Sequence, residues 1–212
     1  MLVTESVVER VDQSVALDDD LLLQSERLHR CIWRLWEPQR LYVVLGRSSP
    51  PEQEVHLARC REDEVRILRR LGGGCSVVLA PGMVVISIAS PRANAGKAED
   101  DLKRWTSVLA LSLEKLGVEK LSMRGTSDLC IGDRKIMGSC LYRSRAASLY
   151  QASLLVNADT RLLERYLQFP IRMPSYRRLR SHSDFVTTLR HQGYPWSCGC
   201  IIERMTVELL FA

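Results

Sequence analysis

The stretch Arg69-Arg70-Leu71-Gly72-Gly73-Gly74-Cys75-Ser76 stands between two apolar runs, Val65 to Leu68 and Val77 to Leu79. Consecutive glycines are entropically unfavourable and are kept where a chain turns sharply or lets its backbone approach a ligand. The paired arginines add planar, forked donors suited to phosphate or carboxylate. The stretch therefore reads as a strand, a tight glycine loop and a second strand, with guanidinium groups at the mouth. It is not a P-loop, because no Gly-Lys-Ser/Thr closes it. If the strand continues, alternation puts Arg69 and Arg70 on opposite faces. Arg70, at a loop mouth, is expected to be mostly solvated and replaceable without unfolding.

A second stretch has the pattern of a β-hairpin: Gly125-Thr126-Ser127-Asp128-Leu129-Cys130-Ile131-Gly132-Asp133-Arg134-Lys135-Ile136-Met137-Gly138-Ser139, with its turn near Gly132-Asp133. It presents Lys135 shortly before a small Gly-Ser pair. On composition alone Lys135 is an exposed hairpin lysine.

The rest of the chain supplies ordinary elements. Asp12 to Leu28 reads as a first helix with Ala16, Leu17, Leu21 and Leu23 apolar, and Cys31 to Leu35 and Leu41 to Leu45 read as strands. Glu54 to Asp63 reads as a helix, and Val77 to Leu79 with Val84 to Ile88 as a hairpin across Ala80-Pro81-Gly82. Ser90 to Lys97 reads as a loop. Ala98 to Leu116 carries Leu102, Trp105, Leu109, Leu113 and Leu116 at helical spacing, a stripe expected in the core, and Gly117 ends it. Strands follow at Leu121 to Arg124, Asp128 to Ile131, Lys135 to Leu141 and Tyr150 to Val156. Helices are expected at Thr160 to Leu167 and Ser183 to Gln192, with a last element at Cys200 to Leu210. Strands broken by a few helices, without regular βαβ alternation, predict an α+β domain with a central mixed or antiparallel β-sheet flanked by helices.

Composition narrows the function classes. The chain has 212 residues, 46% of them apolar, and a formal net charge of +5, mild enough that no nucleic acid is required. A single domain over residues 1–212 is expected. The basic excess around Arg172 to Arg190 fits either a solvated face or a docking surface for an acidic partner. No membrane span and no signal-peptide pattern is read, so a cytoplasmic protein is expected. Seven cysteines at irregular spacing suggest neither a disulfide framework nor a zinc site.

Together the two stretches resemble the lipoate-protein ligase family, within the group that also holds biotin-protein ligases and octanoyltransferases. The matching residues are Arg69, Arg70, Gly72 to Gly74, Pro81-Gly82, Asp128 and Lys135 to Ser139. Ala16-Leu17-Asp18, Trp36-Glu37-Pro38, Leu45-Gly46-Arg47, Leu154-Leu155 and Arg180-Ser181-His182 extend the likeness from about residue 14 to about residue 190. The resemblance implies a biotin/lipoate-protein-ligase-like fold, akin to class II aminoacyl-tRNA synthetases. It implies ATP-dependent activation of lipoate or octanoate to an acyl-AMP, with Mg²⁺, and transfer to a lysine of an acceptor lipoyl-domain protein. Lys135 would be the catalytic residue. Arg70, Gly72, Gly73, Gly74, Cys75, Ser76, Asp128, Gly138 and Ser139 would bind substrate and adenylate. The acyl slot is sought among Val77, Val78 and Ile86, and metal ligands cannot be named.

Departures from the family pattern bear on acyl specificity. Tyr150-Gln151-Ala152-Ser153-Leu154-Leu155 stands where many members carry His-His-Gly-Thr-Leu-Leu, and Leu79 stands where several carry His. Cys140 reads as structural. No small accessory domain is expected after the catalytic domain, so it would be dispensable or supplied by a separate subunit. The alternatives are an octanoyl or lipoyl transferase using a cysteine nucleophile, for which Cys130 and Cys75 are the candidates, and a non-catalytic lipoyl-ligand-binding protein.

Overall fold

A computed structural model describes residues 6–7, 18–92 and 96–210. In chain order the elements are β1 (Ser6–Val7), α1 (Asp19–Leu28), β2 (Ile32–Trp36), β3 (Tyr42–Leu45), α2 (Pro51–Glu54), α3 (Leu57–Glu62), β4 (Arg66–Arg69), β5 (Val77–Leu79) and β6 (Met83–Pro91). They continue with α4 (Ala98–Lys115), β7 (Leu121–Arg124), β8 (Asp128–Ile131), β9 (Arg134–Arg143), β10 (Ala147–Leu155), α5 (Arg161–Tyr166), α6 (His182–Phe185) and α7 (Cys198–Leu210). Single 3-10 turns lie at Ser175–Arg177 and Arg190–Gln192.

Two sheets organise the described residues. The larger has the order β1-β2-β6-β10-β9-β8-β7 and is antiparallel except for the β1–β2 pair. The smaller has the order β4-β3-β5, with β3 parallel to β4 and antiparallel to β5. The architecture is the mixed α+β one read from the sequence. Inside the large sheet, between β2 and β10, runs β6, whose residues Met83 to Ala89 are buried without interruption. A continuous Val/Ile run with no polar face suits a strand covered on both sides. Alternation then divides its side chains. Val84, Ile86 and Ile88 join Leu109 and Leu113 of α4 and Ile201 and Met205 of α7 in the main core. Val85 faces the other way and packs with Trp36, Val44 and Leu79 between the sheets. The α4 stripe is core: Leu109 and Leu113 are fully buried, and Leu102, Trp105 and Leu116 pack against the same cluster.

Three local expectations are corrected. Val77–Leu79 and Met83–Pro91 do not form a hairpin, because β5 pairs with β3 in the small sheet while β6 pairs with β2 and β10. The Pro81-Gly82 turn carries the chain from one sheet to the other, and the Gly82 carbonyl is held by the amides of Val156 and Asn157 at 3.1 and 3.0 Å. Ser183 to Gln192 is not one helix. Its middle is drawn out, with Val186 bridging Lys135 and the Thr187 amide donating to the Lys135 carbonyl at 2.9 Å. The Glu54–Asp63 helix is split into α2 and α3 at Val55, whose extended backbone bridges Leu167. Boundaries shift elsewhere by a few residues, and β6 runs on through Pro91 where a loop was expected. Residues 12–17 of the expected first helix, Ala16 and Leu17 among them, lie outside the described residues. No helix among the described residues is long and apolar enough to cross a membrane.

Candidate functional site

The glycine loop is built by anchoring its oxygens. Arg70 is only 8% exposed, and its Nη2 donates to the carbonyls of Gly73 at 2.6 Å and Cys75 at 2.8 Å. Its Nη1 reaches the carbonyl of Val44 at 3.3 Å. The Gly74 carbonyl accepts from Ser49 Oγ at 3.1 Å, and the Gly72 carbonyl accepts from the Arg47 amide at 2.9 Å. Gly46 permits this close approach, since a side chain there would overlap the Gly74 carbonyl oxygen. In a trans peptide the N–H points away from its C=O. The amides of Gly74 and Cys75 are therefore turned away from these anchors, and no acceptor among the described residues takes them. The expectation of a solvated Arg70 is overturned: its guanidinium is an internal brace. Arg69 does face the other way, exposed, with Nη1 on the carbonyls of Gly46, Arg47 and Ser49.

The loop's exit is fixed by a carboxylate. Glu54, 5% exposed on α2, accepts from the amide of Ser76 at 2.6 Å and its hydroxyl at 2.7 Å. Burial pushes this carboxyl up, but the Ser76 hydrogen bonds and the Arg172 charge hold it below its ordinary value.

Across from the loop lies the hairpin of β8 and β9. Lys135 Nζ pairs with Asp128 Oδ1 at 2.6 Å, and the second oxygen of Asp128 accepts from Tyr176 Oη at 2.7 Å. Lys135 folds back over Gly138, with Nζ 2.7 Å from the point a Cβ there would occupy. Ser139 turns its hydroxyl to the carbonyl and Oγ of Ser127, at 3.2 and 2.7 Å, fixing the small-residue step.

Between loop and hairpin opens a cavity of about 340 Å³, within the range of small-molecule sites. Of the residues named from sequence, Arg70, Gly74, Cys75, Ser76, Val77, Val78, Asp128, Lys135, Gly138 and Ser139 line it together. Gly72 and Gly73 do not; they belong to the loop's supporting turn. Ile86 does not either, because it points into the helix-covered core, and its neighbour Val85 lines the cavity instead. Tyr150 is likewise core, fully buried with its hydroxyl 2.9 Å from Thr106 Oγ1 and its pKa pushed up to about 12 by burial. Gln151 and Leu79 face the cavity, as does Cys140, read from sequence as merely structural. Burial raises the thiols of Cys75, Cys130 and Cys140, which leaves less thiolate at neutral pH.

Sequence reasoning gave the cavity's far rim no place in the site. Arg172, Arg177 and His182 line it. Arg172 is exposed, but Arg177 is 4% exposed and stacked by Phe169 and Phe185, with ring centroids 5.1 and 4.8 Å away. Burial lowers its pKa. The basic cluster is therefore only partly a surface, and its Arg-rich pattern carries no period that would have told the two kinds apart. Among the described residues no three His, Cys, Asp or Glu side chains gather as a metal cage. Both Asp128 oxygens are engaged, by Lys135 and Tyr176, so this carboxylate is not free to hold a Mg²⁺ ion.

The family described as "Lipoyl protein ligase A/B catalytic domain" matches residues 11–210. The structure of P. falciparum LipL1 in complex with lipoate superposes with a TM-score of 0.78, at 18% identity, over 97% of this chain and 61% of that one. The chain thus spans 61% of the length of LipL1. A bipartite lipoate protein ligase from Thermoplasma acidophilum, studied with its E2 lipoyl domain, gives a TM-score of 0.77 at 19% identity, covering 99% of this chain and 82% of that one. A lipoate-protein ligase A bound with ATP gives 0.68 at 20% identity, covering 99% and 84%.

Proposed function

The chain belongs to the lipoyl protein ligase A/B catalytic domain family, and we propose that it is an ATP-dependent ligase that activates lipoate or octanoate and transfers it to a lysine of a lipoyl domain. The observation that carries this reading is the glycine loop. Its carbonyls are tied back by Arg70, Ser49 and Arg47, leaving the Gly74 and Cys75 amides as preorganised donors beside the cavity. Such donors, opposite the Lys135 ammonium, suit an anion whose charge builds up during acyl and phosphoryl transfer. Relatives solved with lipoate and with ATP support the substrate classes.

In the first step a carboxylate oxygen of the acid attacks the α-phosphorus of ATP and pyrophosphate leaves. In the second the acceptor's neutral ε-amine attacks the acyl carbonyl, the C–N bond forms, the bond to AMP breaks and the amine gives up its proton. Lys135 neutralises the phosphate and the acyl carbonyl oxygen. The Gly74 and Cys75 amides cradle the adenylate, and Arg70 holds that cradle in shape. Val77, Val78 and Val85 take the apolar tail. The T. acidophilum pair supports a lipoyl domain as acceptor, and its bipartite form supports an accessory domain on a second chain. A cytoplasmic setting is part of the proposal, supported by the free thiols of all seven cysteines.

The transferase alternative needs a nucleophilic thiol, and the raised Cys75, Cys130 and Cys140 weigh against it. The test is pyrophosphate release with ATP and lipoate, followed by mass gain on an apo-lipoyl domain. Lys135→Ala should abolish both while remaining folded. A wild-type protein that binds lipoate without releasing pyrophosphate would be a binding protein, and the proposal would fail.

A further inference from the structure

We propose that Tyr176 is a positioning residue for Lys135, acting through Asp128; the inference rests on the function proposed above for that lysine. Tyr176 sits in the 3-10 turn Ser175–Arg177, far along the chain from the β8–β9 hairpin. Its ring is held between neighbours: the Phe185 centroid is 5.3 Å away, the Arg124 guanidinium lies 5.8 Å from its own centroid, and its edge borders Gly125. The ring is thereby oriented with its hydroxyl on Asp128 Oδ2 at 2.7 Å.

The proton directions around this hydroxyl are fixed by chemistry. A phenol has one proton, and a carboxylate oxygen can only accept it. Cys130 Sγ, 3.7 Å away, supplies a weak donor to the phenol oxygen. The order therefore runs thiol to phenol to carboxylate, and from the other side ammonium to carboxylate at 2.6 Å. Burial and the Asp128 charge raise the Tyr176 pKa, so the phenol stays protonated and remains a donor. This arrangement does two things. It points Oδ1 toward Lys135, and it draws carboxylate charge away from Oδ1, so that the ammonium is not locked to Asp128 and can turn to a substrate oxygen. Without the hydroxyl, Asp128 has one donor, and both its oxygens compete for Lys135.

Tyr176→Phe removes the hydroxyl and keeps the ring packing. In adenylate formation it should lower kcat on the order of tenfold, the equivalent of one hydrogen bond to a charged group, with KM for ATP and for lipoate unchanged within about twofold and the same melting temperature. A double-mutant cycle separates positioning from general support: in an Asp128→Asn background the same change should have no further effect. A second readout needs no turnover. Lys135 labelling by an acetylating reagent, followed by peptide mass spectrometry against Lys97, Lys103 and Lys120 as internal references, should slow several-fold in Tyr176→Phe. Unchanged kcat and unchanged labelling would overturn the inference, as would full additivity in the cycle. If the wild type forms no adenylate, the proposed function fails on its own account and the labelling still decides the role of Tyr176.

Discussion

The ammonium nitrogen of Lys135 lies 2.7 Å, and its Cε 2.8 Å, from where a Cβ on Gly138 would stand. The lysine's position is thus carved out by the absence of a side chain three residues later. Because the colliding atoms are the end of a flexible chain, Gly138→Ala should leave stability within about 1 kcal/mol, the ordinary scale for a substitution that the structure can absorb. It must displace the ammonium from Asp128, however. A shift of about 1 Å at a reacting group can lower rate on the order of a hundredfold. Adenylate formation and melting temperature, measured on the same preparation, check both halves.

Arg70 is expected to matter for the fold as well as for the reaction. Arg70→Ala leaves the Gly73 and Cys75 carbonyls without their donor and should destabilise by about 3 kcal/mol. Arg70→Lys keeps the charge and loses the fork, so an intermediate loss is expected. Arg69→Ala, on the exposed side, should lie below about 1 kcal/mol. Denaturant midpoints for the three variants test this order, and an unchanged midpoint for Arg70→Ala would rule out the brace.

Both signature stretches were legible because each is local: a loop needing glycines beside arginines, and a hairpin presenting a lysine before small residues. What escaped was set by distant partners. The run Met83 to Ile88 is apolar at every position but Ser87, so nothing in it tells that Val85, and not Ile86, lines the cavity. Pro81-Gly82 signals a turn truthfully but cannot say that the next strand joins another sheet. Phe185 and Leu189 have helical spacing, yet pairing with Lys135 draws the intervening residues straight. Tyr176 sits in an arginine-rich run that reads as surface, and only the fold brings it to Asp128.

Glu54 predicts an acid limb. Its folded pKa is depressed, so its contribution is full above its unfolded value of 4.5 and is lost as pH falls through the lower folded value. Glu54→Gln should melt at lower temperature than wild type at pH 7 and show a smaller drop between pH 6 and about pH 3. Parallel pH dependences would show that the Ser76 contacts do not stabilise the ionised form.

The thiols give a fourth expectation. Cys75→Ala and Cys140→Ala should keep transfer activity within a few-fold, and no acyl-enzyme mass should accumulate on Cys130. Loss of transfer together with a trapped thioester would replace the ligase mechanism by a transferase one.

The backbone clamp on Lys135 also sets when the site comes into being. The hairpin bearing the lysine can form from neighbours in sequence, but its carbonyl is secured by Thr187, which a ribosome releases much later. Contacts of such long separation form slowly. A nascent chain therefore carries Lys135 at the start of β9, where the second edge stays open until the segment around Val186 docks. In refolding, strand signal should precede adenylate formation.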